Sequence, residues 1–160
     1  MTPAAFVTGP GDADASDARE VRERVRVSFA RQRLMQTLGA ELAAVRPGEV
    51  EIALPFRDDL TQQHGFLHAA ATTAIVDSAC GYAALTLMAP GVEVLSVEFK
   101  MNFLAPAAGE RFVALGRVLR TGRTLTVCTG EVHAVRGASR TLIAAMQATM
   151  IAARAADDPT

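Results

Sequence analysis

Cysteine is scarce in this chain, with Cys80 and Cys128 the only two. One falls in an apolar helical run and the other in an apolar strand-like run, with no metal or redox spacing between them. They read as reduced core thiols of a cytoplasmic protein, and a disulfide scaffold is excluded. Aromatic residues make up 5% of the chain, and the formal net charge is −1 with a pI of about 6.3. That balance supplies neither an aromatic and basic face for nucleic acid nor a field for an anionic membrane surface. The three histidines, His64, His68 and His133, are scattered without ligand spacing, so no metal site is expected. No glycine-rich phosphate loop is present. Residues 1–16 (MTPAAFVTGPGDADAS) lack the basic start and long apolar segment of a secretory signal and read as a disordered lead-in.

Charge is missing in one place where its absence is informative. Between Asp59 and Glu93 the only formal charge is Asp77, in the middle of a helical run rich in Ala, Leu, Ile and Val. Desolvating an unpaired carboxylate costs several kcal/mol, about 3–5 when a buried partner is removed. Nine residues earlier, His68 stands where that helix begins. An acid inside a core helix with a histidine at the helix start points to a site. The run is about 20 residues long, enough to ask whether it spans a membrane. Its Asp, its threonines and Tyr82 argue against that, as do the strands that follow and need a core to cover.

With 160 residues, 50% of them hydrophobic, one domain can bury a real core. A single domain is expected over 17–154, with a tail over 155–160. Asp17 is placed as the N-cap of a charged amphipathic helix reaching about Ala30, in which Val21, Val25 and Phe29 recur every four residues. RQRLMQTL continues or restarts it and stops at Gly39. Two strands flank the Pro47-Gly48 turn, and in the second Val50, Ile52 and Leu54 alternate with polar or small residues. After the long helix, which stops before Pro90-Gly91, a four-strand meander is expected. In its first strand Leu95, Val97, Phe99, Met101 and Phe103 form the face assigned to the core, leaving Ser96 on the polar side. In its last, Leu142, Ala144, Met146, Ala148 and Met150 share one side. A helix apolar nearly all round must be enclosed. The economical solution is α+β: a curved antiparallel sheet of about six strands wrapped around that helix.

Three stretches then resemble a known family. QQHGFLHAAATTAIVDSACGYAAL carries an amide, a histidine six residues on at the helix start, and an acid nine residues further. VLSVEFKMNFLAPAAG matches a central strand with its Pro-containing turn, and LRTGRTLTVCTGEV a hairpin with a basic turn. In order and spacing they are similar to the hotdog-fold acyl-CoA thioesterases related to the phenylacetate-pathway enzymes, from about Leu38 to Ile151. The resemblance implies hydrolysis of an acyl-CoA to free acid and CoA, with no cofactor, in a homodimer or homotetramer whose sites lie between subunits.

The same resemblance implies roles for particular residues. Asp77 is the general base or nucleophile, the Ala69 N–H the oxyanion donor, His68 a cap or orienting group, and Gln62 a holder of water or carbonyl, with neighbouring Gln63 as the alternative amide. Ser96 matches a site serine that in part of the family faces the acid across the subunit interface. Arg120 and Arg123, with Arg117 nearby, are placed to hold CoA phosphates, while Phe66 and Leu67 line an acyl tunnel or simply pack. Two departures stand out. His68-Ala69-Ala70 replaces the usual His-Gly-Gly, which narrows the approach to the backbone. Gly81 occupies the position where the Glu-bearing branch often has Ser or Thr. His64-Gly65 imitates the His-Gly pair, but its spacing of thirteen to Asp77 and an Asp58 in the amide position favour His68. A non-catalytic acyl-CoA-binding or sensing module is the first alternative. A hydratase or dehydratase is the second, disfavoured by the nine-residue spacing.

Overall fold

The computed structural model describes residues 10–154, with side chains from 17 to 153. The chain runs α1 (Pro10–Arg31), α2 (Arg33–Leu38), β1 (Glu41–Arg46), β2 (Glu49–Pro55), α3 (Ala69–Leu85), β3 (Val92–Phe103), β4 (Arg111–Thr121), β5 (Leu125–Arg136) and β6 (Ser139–Arg154). The six strands form one antiparallel sheet in the order β1-β2-β4-β5-β6-β3. The two strands flanking Pro47-Gly48 and the four expected after the long helix are all present. The topology corrects the four-strand meander, because β3 crosses to the far edge and pairs with β6 while β4 returns beside β2. Both β1 and β3 are therefore free edges.

The helix expected to start at Asp17 starts at Pro10 instead, so Asp17 lies inside it rather than capping it. Residues 1–9 of the expected lead-in and the tail over 155–160 lie outside the described residues. Gln32 breaks the helix with extended backbone (ψ 96°), and α2 restarts and ends at Gly39, whose φ of 72° suits glycine.

Helix α3 lies across the concave face. Ile75, Val76, Ala79, Cys80, Ala83 and Ala84 are fully buried, as are Val50, Ile52, Leu54, Phe112, Ala114, Cys128 and Val132 beneath them. Each large aliphatic side chain buried in this way contributes about 1.5–3 kcal/mol. The helix survives its threonines because Thr72 and Thr73 turn their hydroxyls back onto the Ala69 carbonyl, at 2.8 and 2.9 Å. Enclosure is not complete. Ala70, Thr73, Ala74 and Asp77 line a side of α3 that the sheet leaves open.

Helix α1 covers part of that open side. Val25 is fully buried and Phe29 packs edge-on against Tyr82, with ring centroids 5.8 Å apart. Arg24 donates to the Leu85 and Met88 carbonyls at 2.6 and 2.9 Å, placing a cation on the unsatisfied C-terminal end of α3. Arg24→Met, which keeps the aliphatic stem, is expected to lower stability in urea unfolding by about 1–2 kcal/mol, the size of a lost charge-assisted pair at a helix end.

Strand parity is corrected in two places. The register slips between Ser96 and Glu98, so Val94 and Ser96 face α3 before the bulge and Phe99, Met101 and Phe103 face inward after it. Of the five residues assigned to the core from the sequence, Leu95 and Val97 point outward, Phe99 and Phe103 lie on the inner face but stay exposed at the sheet edge, and only Met101 is partly buried. A second slip at Val132/His133 makes Ile143 the buried residue and leaves Leu142 exposed.

Among the described residues no helix is long and apolar enough to cross a membrane.

Candidate active site

Asp77 sits on the open side of α3, half-buried rather than enclosed. The bulge in β3 turns Ser96 toward it, and the serine hydroxyl donates to Asp77 Oδ1 at 2.7 Å. Ser96 therefore meets the acid within one chain, on the inward face, and not from the polar face that the sequence had suggested. A hydrogen bond to an ionised acceptor is the stronger kind, and it fixes the rotamer of the carboxylate while leaving its second oxygen for other work. The two residues open into a cavity of about 410 Å³ shared with Ser28 and Gln32 of the α1–α2 corner and with Ser78, Gly81 and Tyr82 of α3.

At the start of α3, His68 is the N-cap. Its Nδ1 accepts the Ala70 N–H at 2.9 Å, which puts the proton of the neutral ring on Nε2. The Ala71 N–H bonds the His68 carbonyl at 3.0 Å, whereas the Ala69 N–H donates to none of the described residues. A free donor at the positive end of a 17-residue helix suits an oxyanion. Ala69 lines a second cavity of about 310 Å³ together with Gln62, Phe66, Leu67, Thr72 and Phe103. Gln62 accepts the His64 N–H through Oε1 at 2.5 Å, which holds the loop and leaves its amide N–H₂ available. Gln63 is exposed, 3.4 Å from His64 Nε2, and is not part of that cavity. Leu67 is buried as packing, and Phe66 is exposed at the rim.

The candidate residues thus fall into two groups, Asp77 with Ser96 and Gln62 with Ala69. Asp77 and Ala69 lie eight residues apart on one helix, so about 12 Å separates them along its axis. They cannot touch the same carbonyl within one chain. The basic residues of the β4–β5 turn form a third group. Arg123 lines a separate cavity of about 280 Å³, Arg120 is exposed beside the β4 bulge, and Arg117 is already engaged by Glu49 at 2.8 Å. Among the described residues no cluster of three His, Cys, Asp or Glu side chains is placed to hold a metal.

The cysteines take no part. Cys80 and Cys128 are free and fully buried, and burial pushes both thiols up, Cys128 to about 11 and Cys80 further still. At pH 8 the thiolate fraction of Cys128 is about one in a thousand, so a folded sample should leave an aromatic disulfide reagent unreacted, with two thiols appearing on denaturation.

Sequence reasoning missed the neighbours of Asp77. Ser78 and Tyr82 follow it at one and five residues, either side of Gly81 in sequence, and helical periodicity could have marked them. Ser28 and Gln32 come from a remote helix, and nothing in their own neighbourhood announces a role.

The sequence and fold compare closely with known proteins. The family model described as the thioesterase superfamily matches residues 64–140. A solved thioesterase family protein from Silicibacter pomeroyi is 50% identical, with a TM-score of 0.82, covering 84% of this chain and 99% of that one. A curated protein of Saccharolobus solfataricus named as an esterase is 29% identical over 94 residues, 59% of this chain and 66% of its own length. The PaaI protein of the phenylacetic acid degradation operon of E. coli shares the fold, with a TM-score of 0.76 at 16% identity, over 87% of this chain and 96% of that one. A six-stranded sheet curled on one long helix, together with half-identity along nearly all of a thioesterase family protein, leaves a single assignment: the chain belongs to the thioesterase superfamily, with the hotdog fold.

Proposed function

We propose that the protein is an acyl-CoA thioesterase and that Asp77 is its essential carboxylate. The observation carrying this is the half-buried Asp77, anchored on one oxygen by Ser96 and opening into a cavity. In the reaction a water oxygen attacks the thioester carbonyl carbon while Asp77 takes its proton. The oxyanion rests on the Ala69 N–H, then the carbonyl re-forms, the C–S bond breaks and the CoA sulfur leaves with a proton. Direct attack by Asp77 gives a mixed anhydride that water then opens, with the same products.

The separation of Asp77 from Ala69 supports a site shared by two chains, one giving the acid and the other the Ala69 N–H and Gln62. The free edge of β3 supports the same reading, because Leu95, Val97, Phe99 and Phe103 are 44–59% exposed along a strand whose outer edge has no partner among the described residues. Arg120 and Arg123 offer guanidinium groups to the CoA phosphates. No cofactor is needed for this chemistry, and two buried free thiols suit a reducing, cytoplasmic setting.

Thiol release from short, long and aryl acyl-CoAs, with Asp77→Asn in parallel, tests the proposal. Turnover by wild type and its loss in the variant support it. Binding without turnover of any thioester points to an acyl-CoA-binding module, for which Ala69-Ala70 in place of Gly-Gly is the favouring feature.

A further inference from the structure

Gly81 is a glycine for which packing gives no reason. Glycine weakens a helix interior by its backbone freedom, so a buried one there needs a cause. At Gly116 and Gly130 the cause is steric, since a Cβ would come within 2.5 Å of the atoms of α3. At Gly81 a Cβ would meet only Val94 Cγ1, at an ordinary 3.8 Å. Gly81 lies one turn beyond Asp77 on the same side of α3, and its missing side chain enlarges the cavity into which Asp77 opens.

Val94 and Leu95 of β3 give that cavity an apolar side, while the wall contributed by α1 and the α1–α2 corner is polar. Ser78 Oγ donates to Gln32 Oε1 at 3.3 Å, Ser28 Oγ and the Tyr82 hydroxyl are 3.4 Å apart, and Arg31 lies 3.8 Å from Glu93. The space beside Gly81 has room for a compact acyl group. A long saturated chain running past it would strip water from these groups without replacing their hydrogen bonds.

We propose that this cavity holds the acyl group and that Gly81 sets its size limit, admitting compact acyl groups of intermediate length while the polar wall from α1 rejects long ones. The inference rests on the thioesterase reading. The test measures kcat/KM of wild type, Gly81→Ala and Gly81→Val on acetyl-, hexanoyl- and palmitoyl-CoA, together with Tm.

Wild type should prefer hexanoyl-CoA. Gly81→Ala should keep or raise Tm while moving preference toward acetyl-CoA, and Gly81→Val should lower the hexanoyl-to-acetyl ratio by about tenfold or more. Should Gly81→Val fail to fold, Gly81→Ala carries the same ratio. An unchanged ratio, a uniform loss on all three thioesters, or a wild-type preference for palmitoyl-CoA overturns the proposal. If wild type hydrolyses none of them, it is the thioesterase reading that fails. Calorimetry of hexanoyl-CoA against CoA then decides the cavity. Weaker binding of hexanoyl-CoA alone in the Gly81 variants supports it, and equal effects on both ligands overturn it.

Discussion

Asp77→Asn is expected to lower kcat for thioester hydrolysis by about 10²–10⁴-fold, the range for removing a positioned general base, with Tm and far-UV dichroism kept at wild-type values. The fold should tolerate the change because Asp77 is half-buried and, among the described residues, its carboxylate takes a hydrogen bond only from Ser96. An asparagine carbonyl oxygen can still accept that bond, so no buried donor is left unpaired. What disappears is proton affinity. The amide cannot take a proton from water or attack the carbonyl carbon, and the remaining rate comes from the Ala69 N–H and binding alone. In free energy the loss is about 2.7–5.4 kcal/mol at 1.36 kcal/mol per decade. Ser96→Ala makes a useful companion. It leaves the carboxylate in place but frees its rotamer, and a loss of about tenfold, near the 1.4 kcal/mol of one hydrogen bond, is expected. Activity of Asp77→Asn within threefold of wild type would reject Asp77 as the catalyst.

How Asp77 and Ser96 meet also shows what the sequence carries and what it omits. The acid was legible because a lone charge in an apolar helix is conspicuous, and His68 because it precedes the first helical residue by one. The Pro47-Gly48 hairpin and the burial of Val50, Ile52 and Leu54 followed from period-two alternation. The partnership of Ser96 with Asp77 was not legible. LSVEFKMNF alternates without interruption, yet the strand inserts one extra residue at Val97 and reverses its faces there. Bulges arise from the twist and pairing of the whole sheet, and no local residue choice in this strand marks one. The crossing of β3 to the edge is equally global, since its hydrophobic pattern is compatible with pairing to β4 or β6. The polar wall around Asp77 was hidden for a similar reason. Gln32 gains its place only because the chain breaks there between α1 and α2 and because Arg24 holds α1 against the end of α3.

Gly116→Ala should cost about 3 kcal/mol or more in equilibrium urea unfolding, above the usual 1–3 kcal/mol of overpacking. Gly116 of β4 and Gly130 of β5 are partners across the sheet, directly beneath α3. A Cβ at Gly116 would lie 2.3 Å from the Ala79 carbonyl carbon, 2.4 Å from its oxygen and 2.5 Å from the Cys80 nitrogen. These are helix backbone atoms, so relief requires α3 to lift off the sheet. Lifting it opens voids around Ile75, Val76 and Ala83, all fully buried against the strands. A Cβ at Gly130 meets Val76 Cγ2 at 2.5 Å and Cys80 Sγ at 3.0 Å. Those are side-chain atoms, and a rotamer change absorbs part of the clash, so Gly130→Ala should be the milder of the two. The ranking separates a backbone clash from a side-chain one and has a catalytic corollary. Because α3 carries both Ala69 and Asp77, any Gly116→Ala protein that folds should lose activity on every thioester alike, whereas a change at Gly81 alters only the preference among them. A Gly116→Ala cost below 1 kcal/mol would mean that α3 does not rest on β4 as closely as the glycine pair implies.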